Sequence, residues 1–319
     1  MPEKRFKWVI AAAGVILSAA LFLKMVVDLF FTYAARGKSL KLFTSRKREK
    51  AKKEQYENSW LKKQSLESVS VKSTDGLKLK GHYLKNPQEK RIILCFHGWR
   101  GTWTGDFDKL AEWFYEEGSS LLLVEQRAQG ESEGKYMGFG ILERKDCRKW
   151  LDFVRKMYRD KEIPVYLAGV SMGAATVLMA AGEIPQGQVK GILADCGFSS
   201  AYDIVLRTGK NMFHVKEYPL MKWLNRRCRK KAGYALDEYT AMDSVSRTEI
   251  PVLFVHGVAD DFVPWEMSQA NYQACRGKKK LLLAEGARHC QSFEVLGDVY
   301  KDTVKEFFEW EKECRLEGK

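Results

Sequence analysis

The sequence predicts an α/β fold, a doubly wound and mostly parallel sheet of eight strands, and three observations carry the prediction. Two alternating polar-apolar segments, LESVSVKS (66–73) and LKLKGHYLK (77–85), meet at Thr74-Asp75-Gly76. Asp-Gly between alternating runs is a hairpin signal, so the sheet should open with an antiparallel pair. Six nearly continuous apolar runs follow: IILCF (92–96), SLLLVE (120–125), VYLAGV (165–170), VKGILAD (189–195), VLFVH (252–256) and LLLAE (281–285). Runs without alternation fit strands buried on both faces, which means parallel pairing. Helical patterns lie between them at Phe107 to Tyr115, Leu142 to Tyr158, Met172 to Ala181, Trp265 to Ala274 and Phe293 to Trp310. Strand alternating with helix is the arrangement of a doubly wound sheet.

Residues 198–248 break the alternation, because they hold helix-like stretches and no buried strand. They read as a helical cap over the C-terminal edge of the sheet. Apolar anchors there (Met212, Phe213, Leu220, Met221, Trp223, Leu224) accompany a basic run from Arg226 to Lys231. Two accounts fit: an amphipathic helix packed on the sheet with a solvated basic face, and a lipid-facing lid admitting an acyl chain.

Ahead of the fold stands an uncharged run, WVIAAAGVILSAALFL (8–23), and its apolar character resumes after Lys24 up to Phe31. Carried to Phe31 as a helix it covers about 36 Å, enough for a hydrocarbon core of about 30 Å. Lys24 and Asp28 stand four apart on one helix face, where they can pair. No small-x-small cleavage site follows, so residues 1–35 read as an uncleaved anchor in preference to a signal peptide. Nine basic residues from Arg36 to Lys53 against three ahead of the span favour a cytoplasmic fold. A short, positively charged N-terminus also resembles the start of an exporting signal anchor, so orientation stays open. Residues 36–63 form a basic juxtamembrane linker with 11 basic and 3 acidic residues, suited either to anionic lipid or to plain solvation. Residues 64–319 form the folded region.

Composition narrows the function classes. With 45% hydrophobic and 12% aromatic residues among 319, the chain can bury a sizeable core, which excludes a disordered or collagen-like chain and a disulfide-stapled miniprotein. Of the net charge of +13, +10 belongs to residues 1–63. A nucleic-acid binder would stripe its charge through the fold, so no nucleic-acid partner is expected and the membrane is. The seven cysteines are scattered without a CxxC pair, so neither a disulfide framework nor a metal site is expected, and no cofactor. Cys95 and Cys196 lie inside apolar runs, where a free thiol acts as a small buried hydrophobe.

The chemistry concentrates at Gly169-Val170-Ser171-Met172-Gly173, which follows one predicted strand and opens a predicted helix. In that context G-x-S-x-G presents a serine hydroxyl above the sheet on a sharp turn. The hydroxyl needs a base, and the base needs a carboxylate to hold its tautomer. Of five histidines, His82 belongs to the hairpin, His97 and His256 precede glycine at strand ends, and His214 falls in the cap. His289, in a loop just after the last strand, remains as the base. Asp260 in VLFVHGVADDFVP sits at a turn after the preceding strand and is chosen as the acid, with Asp261 and Asp195 as alternatives. Backbone N–H groups of Met172 and of Trp99, in the loop HGWRGT, are expected to form the oxyanion hole, with His97 bracing that loop. An unperturbed imidazole titrates near about 6.5, so activity is expected to rise through about pH 6 to 8.

His97-Gly98-Trp99, Gly169-Val170-Ser171-Met172-Gly173, HGVADDFVP and Gly286-Ala287-Arg288-His289 resemble, in order, the motifs of the α/β-hydrolase superfamily. Within it the chain is similar to serine aminopeptidase, monoacylglycerol-lipase-like and prolyl-oligopeptidase-type enzymes, notably bacterial proteins with one N-terminal membrane segment. The resemblance spans about residues 66–315 and implies Ser171 as nucleophile, Asp260 as acid and His289 as base. LLLVEQRAQGESEG departs from the family's Asp-x-Arg-Gly-x-Gly-x-Ser at Glu125, Ala128 and Gln129. The expectation is a serine hydrolase cleaving carboxylic esters or small amides, lipids among the candidate substrates. The alternative is a catalytically silent, membrane-anchored binding module of the same fold.

Overall fold

A computed structural model describes residues 2–37, 50, 54, 57–213 and 217–317. Its eight strands are β1 (Glu67–Lys72), β2 (Lys78–Leu84), β3 (Arg91–Phe96), β4 (Ser119–Val124), β5 (Val165–Val170), β6 (Gly191–Asp195), β7 (Val252–Gly257) and β8 (Lys279–Ala284). They form one sheet in the order β1-β2-β4-β3-β5-β6-β7-β8. β1 and β2 are antiparallel, β2 runs antiparallel to β4, and every pair from β4 to β8 is parallel. Burial follows position: β4 to β7 are buried along their whole length, whereas β1 and β8 keep only one buried residue each. The edges of the sheet therefore carry its exposed residues.

Alongside the strands run α1 (Pro2–Ala35), α2 (Trp103–Glu116), α3 (Glu143–Met157), α4 (Met172–Ala181), α5 (Ala201–Phe213), α6 (Glu217–Ala232), α7 (Ala241–Val245), α8 (Trp265–Ala274), α9 (Ser292–Leu296) and α10 (Asp298–Glu317), with a short 3-10 helix at Leu61–Lys63. Alternate residues of each central strand feed opposite faces, as the period-2 geometry of a strand requires. Ile92, Leu94 and Phe96 join a core with α1 and α3 to α7, while Ile93 and Cys95 join a second core with α2 and α10. The sheet is thus covered on both faces.

Three details depart from the sequence reading. The helix expected from Phe293 to Trp310 is two helices, parted at Gly297, whose φ of 52° lies where glycine is favoured. The α2 helix starts earlier than its apolar pattern, at Trp103, because Thr102 accepts a hydrogen bond from the Gly105 N–H as an N-cap. Asp28 does not meet Lys24: its carboxylate lies 2.7 Å from Arg227 of α6. Most of the basic linker (36–63) and His214 fall outside the described residues.

Between β6 and β7, α5 to α7 account for the strand-free stretch. In α6, Leu220, Met221, Leu224 and Cys228 are buried while Arg226, Arg229, Lys230 and Lys231 are exposed. Ahead of the sheet, the stretch Ala13–Ala35 of α1 is long and apolar enough to cross a membrane, with a mean hydropathy of 2.1. Its outer part is exposed, as at Trp8, Val15, Leu21 and Met25, but Val27, Phe30, Phe31, Ala34 and Ala35 are buried against the folded domain.

Candidate active site

The C-terminal ends of β3, β5, β7 and β8 converge at one edge, and the loops leaving them carry the residues singled out in the sequence. Ser171 stands between β5 and α4 with φ of 56° and ψ of −118°. A non-glycine residue in that region is strained, and such strain accumulates at functional turns. Both flanking glycines are sterically required. A Cβ on Gly173 would lie 1.8 Å from the Phe96 carbonyl oxygen, and one on Gly169 would lie 2.3 Å from that of Gly173. The motif therefore packs strand, turn and helix too closely for any side chain at either glycine.

Ser171 Oγ lies 3.0 Å from His289 Nε2, and His289 Nδ1 lies 2.6 Å from Asp260 Oδ2. A carboxylate only accepts, so Nδ1–H donates to Asp260 and the Nε2 lone pair faces the serine hydroxyl. Asp260 is itself held from several sides. Its Oδ1 accepts the backbone N–H of Phe262 at 3.0 Å and of Val263 at 2.9 Å. Burial opposes its charge, but the contacts to His256 and His289 and the Val263 N–H outweigh burial and hold the carboxyl well below its ordinary range.

Burial likewise opposes a charged His289, while Cys196 and Asp260 favour it. The Cys196 thiol is fully buried and pushed well above its ordinary value, so it is neutral at ordinary pH. With the thiol neutral, burial and the Asp260 carboxylate pull the imidazole in opposite directions, so it is not the unperturbed base that the sequence suggested. Phe262 packs edge-on to the His289 ring, centroids 5.0 Å apart.

The alternative acids are engaged elsewhere. Asp261 is exposed and meets Arg288 at 3.1 Å. Asp195 is buried and accepts from Ser292 Oγ at 2.9 Å and Tyr300 OH at 3.2 Å, while burial pushes its carboxyl up to about 6. Its backbone carbonyl accepts the Ser171 N–H at 2.8 Å, so this residue supports the turn.

Met172 is the first residue of α4, and Trp99 stands in the loop after β3. That loop passes Ser171 closely: a Cβ on Gly98 would lie 3.2 Å from the Ser171 Cβ. Gly98 N–H donates to Asp106 Oδ2 at 2.6 Å. His97 accepts the Gln126 N–H at Nε2 (3.2 Å), so its Nδ1–H donates to the Gly98 carbonyl at 2.9 Å and ties the loop to the segment just after β4.

Ser171 is only 4% exposed. It lines an apolar pocket with Trp99, Phe139, Phe198, Phe262 and, from α5, Ile204 and Val205; Phe30, Tyr33 and Ala34 of α1 close the same pocket. Sequence reasoning missed the α1 residues, since nothing local ties residue 30 to residue 171. It also placed His256 only at a strand end, whereas its Nε2 lies 3.3 Å from Asp260 Oδ2. Folding further gathers Cys196, His289 and Cys290, the group of metal-ligand type that lies within 4.8 Å among the described residues. Both His289 nitrogens are already engaged there, so a metal would have to displace Ser171 or Asp260.

Comparison with known proteins fits this geometry. The profile of the serine aminopeptidase (S33) family matches residues 87–233. An esterase of Pyrococcus furiosus, Pf2001, aligns with a TM-score of 0.62 at 21% identity, over 77% of this chain and 93% of its own. This chain has the α/β-hydrolase fold. Est1E of Butyrivibrio proteoclasticus, in a structure with ferulic acid bound, is a second α/β neighbour (TM-score 0.59, 21% identity, 75% of this chain and 97% of its own). The sequence is also 26% identical to YqkD of Bacillus subtilis over 239 residues, 75% of this chain and 78% of that protein. The partial family match and the fold together support hydrolase activity for this chain.

Proposed function

We propose that the protein is a serine hydrolase, anchored in a membrane by α1, that cleaves carboxylic esters or small amides through an acyl-enzyme. The observation that carries the reading is the unbroken contact from Asp260 Oδ2 to His289 Nδ1 (2.6 Å) and from His289 Nε2 to Ser171 Oγ (3.0 Å). Ser171 Oγ attacks the acyl carbon as its proton passes to His289 Nε2. Asp260 holds the tautomer and stabilises the imidazolium that forms. The oxyanion takes the backbone N–H groups of Met172 and Trp99, each such donor contributing about 3 kcal/mol to the transition state. The C–O or C–N bond then breaks, His289 gives its proton to the departing alcohol or amine, and water repeats the sequence on the acyl-serine.

A fluorophosphonate probe on the full-length protein tests this reading. Labelling is expected at Ser171 and should vanish in Ser171→Ala. Folded protein that takes no label would leave the silent binding module as the reading.

A further inference from the structure

We infer that Cys196 and Cys290 form an oxidisable pair beside the triad, in which a peroxide closes a disulfide that carries His289 away from Ser171. The bond itself stands apart from the serine-hydrolase reading, and only its effect on hydrolysis rests on that reading.

The two cysteines stand 94 residues apart in the chain, and the parallel sheet brings them together. Cys196 directly follows β6, Cys290 lies in the loop after β8, and their sulfurs are 3.6 Å apart. Both hold backbone angles in the left-handed region, with φ of 46° and 61°, as Ser171 does at 56°. Residues other than glycine seldom take that conformation, and it gathers at functional turns. His289 stands among them, with a ring nitrogen within 4.8 Å of each sulfur.

The thiols differ as an attacked and a resolving cysteine must. Cys290 is exposed and lines a polar cavity of about 360 Å³ with Asp106, Asp195 and Glu294, which gives a peroxide access to its sulfur. Cys196 is fully buried, and burial pushes its thiol well above its ordinary value. An accessible cysteine with a second cysteine at hand oxidises to a sulfenic acid and then to a disulfide. Here hydrogen peroxide converts the Cys290 S–H to S–OH and is itself reduced, releasing water. The Cys196 sulfur then attacks the Cys290 sulfur: the S–S bond forms, the S–O bond breaks, and the Cys196 proton leaves with the hydroxide as a second water.

Closing the bond displaces one side of the pair. A disulfide holds its sulfurs about 2.0 Å apart, so they must approach by about 1.5 Å. The Cys196 backbone N–H donates to the Val255 carbonyl at 2.9 Å, which fixes that residue to β7. Cys290 directly follows His289 in a loop where Arg288 and Gln291 are also exposed, so the approach falls on the loop that carries the imidazole. His289 Nε2 faces Ser171 Oγ at 3.0 Å, and a misplacement of about 1 Å in a reacting group costs about 10²-fold in rate.

The test treats reduced full-length protein in detergent with hydrogen peroxide, alkylates the remaining thiols and maps disulfides by peptide mass spectrometry, while fluorophosphonate labelling of Ser171 is followed in parallel. A peptide linking Cys196 to Cys290 is expected, with a labelling rate that falls about 10²-fold and returns with dithiothreitol. Cys290→Ser should label as the wild type does and keep that rate in peroxide, and Cys196→Ala should leave Cys290 as a sulfenic acid that dimedone captures. The inference is overturned if no linked peptide forms, if it forms and labelling persists, or if Cys290→Ser loses labelling as the wild type does. Reduced protein that takes no label would sink the serine-hydrolase reading, while the linked peptide would still decide the pair.

Discussion

His256 Nε2 lies 3.3 Å from Asp260 Oδ2, the oxygen that also receives His289. His256 is fully buried on β7, with Nε2 also 2.9 Å from the Val263 carbonyl and Nδ1 2.6 Å from Ser268 Oγ. It therefore fixes the loop that carries Asp260. His256→Leu strands these buried polar partners and should cost about 2 kcal/mol of stability. Turnover should fall less than in Asp260→Asn. Urea unfolding and turnover of the same variant check both, and unchanged stability would contradict the supporting role.

Asp260→Asn should lower turnover by about 10⁴-fold with the fold intact, because an amide can leave His289 in the wrong tautomer. Asp261→Asn should change turnover by less than about threefold, since its carboxylate is exposed and its partner Arg288 is a surface residue. Steady-state kinetics of the two variants decide the assignment, and reversed effects would move the acid to Asp261.

The pH profile should be displaced to the alkaline side. The Asp260 carboxylate stabilises the His289 imidazolium against burial, so the imidazole is expected to titrate above 6.5 and the protonated form, which cannot accept the Ser171 proton, to persist to higher pH. The rising limb of kcat/KM is then expected above pH 6.5. The same shift stabilises the fold fully below about pH 6.5, and that contribution is lost as pH rises through the folded-state value. A limb centred at or below 6.5 would show that Asp260 does not hold the imidazolium.

Arg127 supplies a stability test away from the chemistry. Its guanidinium is buried and bidentate on Asp146 (2.6 and 2.7 Å), with Asp75 at 3.0 and 3.1 Å. Arg127→Leu leaves the Asp146 carboxylate buried without its partner and should cost about 3 to 5 kcal/mol. The double variant Arg127→Leu with Asp146→Leu should recover part of that loss. Urea midpoints measure both, and additive losses would mean the pair is not coupled.

Much of this molecule could be read from local pattern. Each sheet strand announces itself by apolar runs or alternation because burial on two faces or one is a local demand on composition. Gly169 and Gly173 mark the turn because backbone atoms occupy the space of their missing side chains. His289 and Asp260 were legible from their order after the last strands, since the parallel sheet brings the C-terminal ends of its strands together. The departures from the family pattern at Glu125 and Ala128, just after β4, were visible in the sequence, but not their roles. Glu125 meets His82 at 2.8 Å, and Ala128 takes a φ of 62° beside Gly37.

Tertiary structure alone decided the rest. Whether Asp28 pairs with Lys24 or Arg227 depends on which helix arrives beside it, and the titration of His289 depends on the balance between burial and the Asp260 carboxylate, which act in opposite directions. The break at Gly297 needed a backbone angle that periodicity does not report. Above all, the sequence by itself determined that α1 is apolar enough for a bilayer, whereas only folding decided that its last residues are buried against the domain and capped by Trp99, Arg100 and Met137 while its outer part stays exposed. Hydrophobicity is a property of a segment, but the surface that covers it is chosen by contacts from residues far away in the chain.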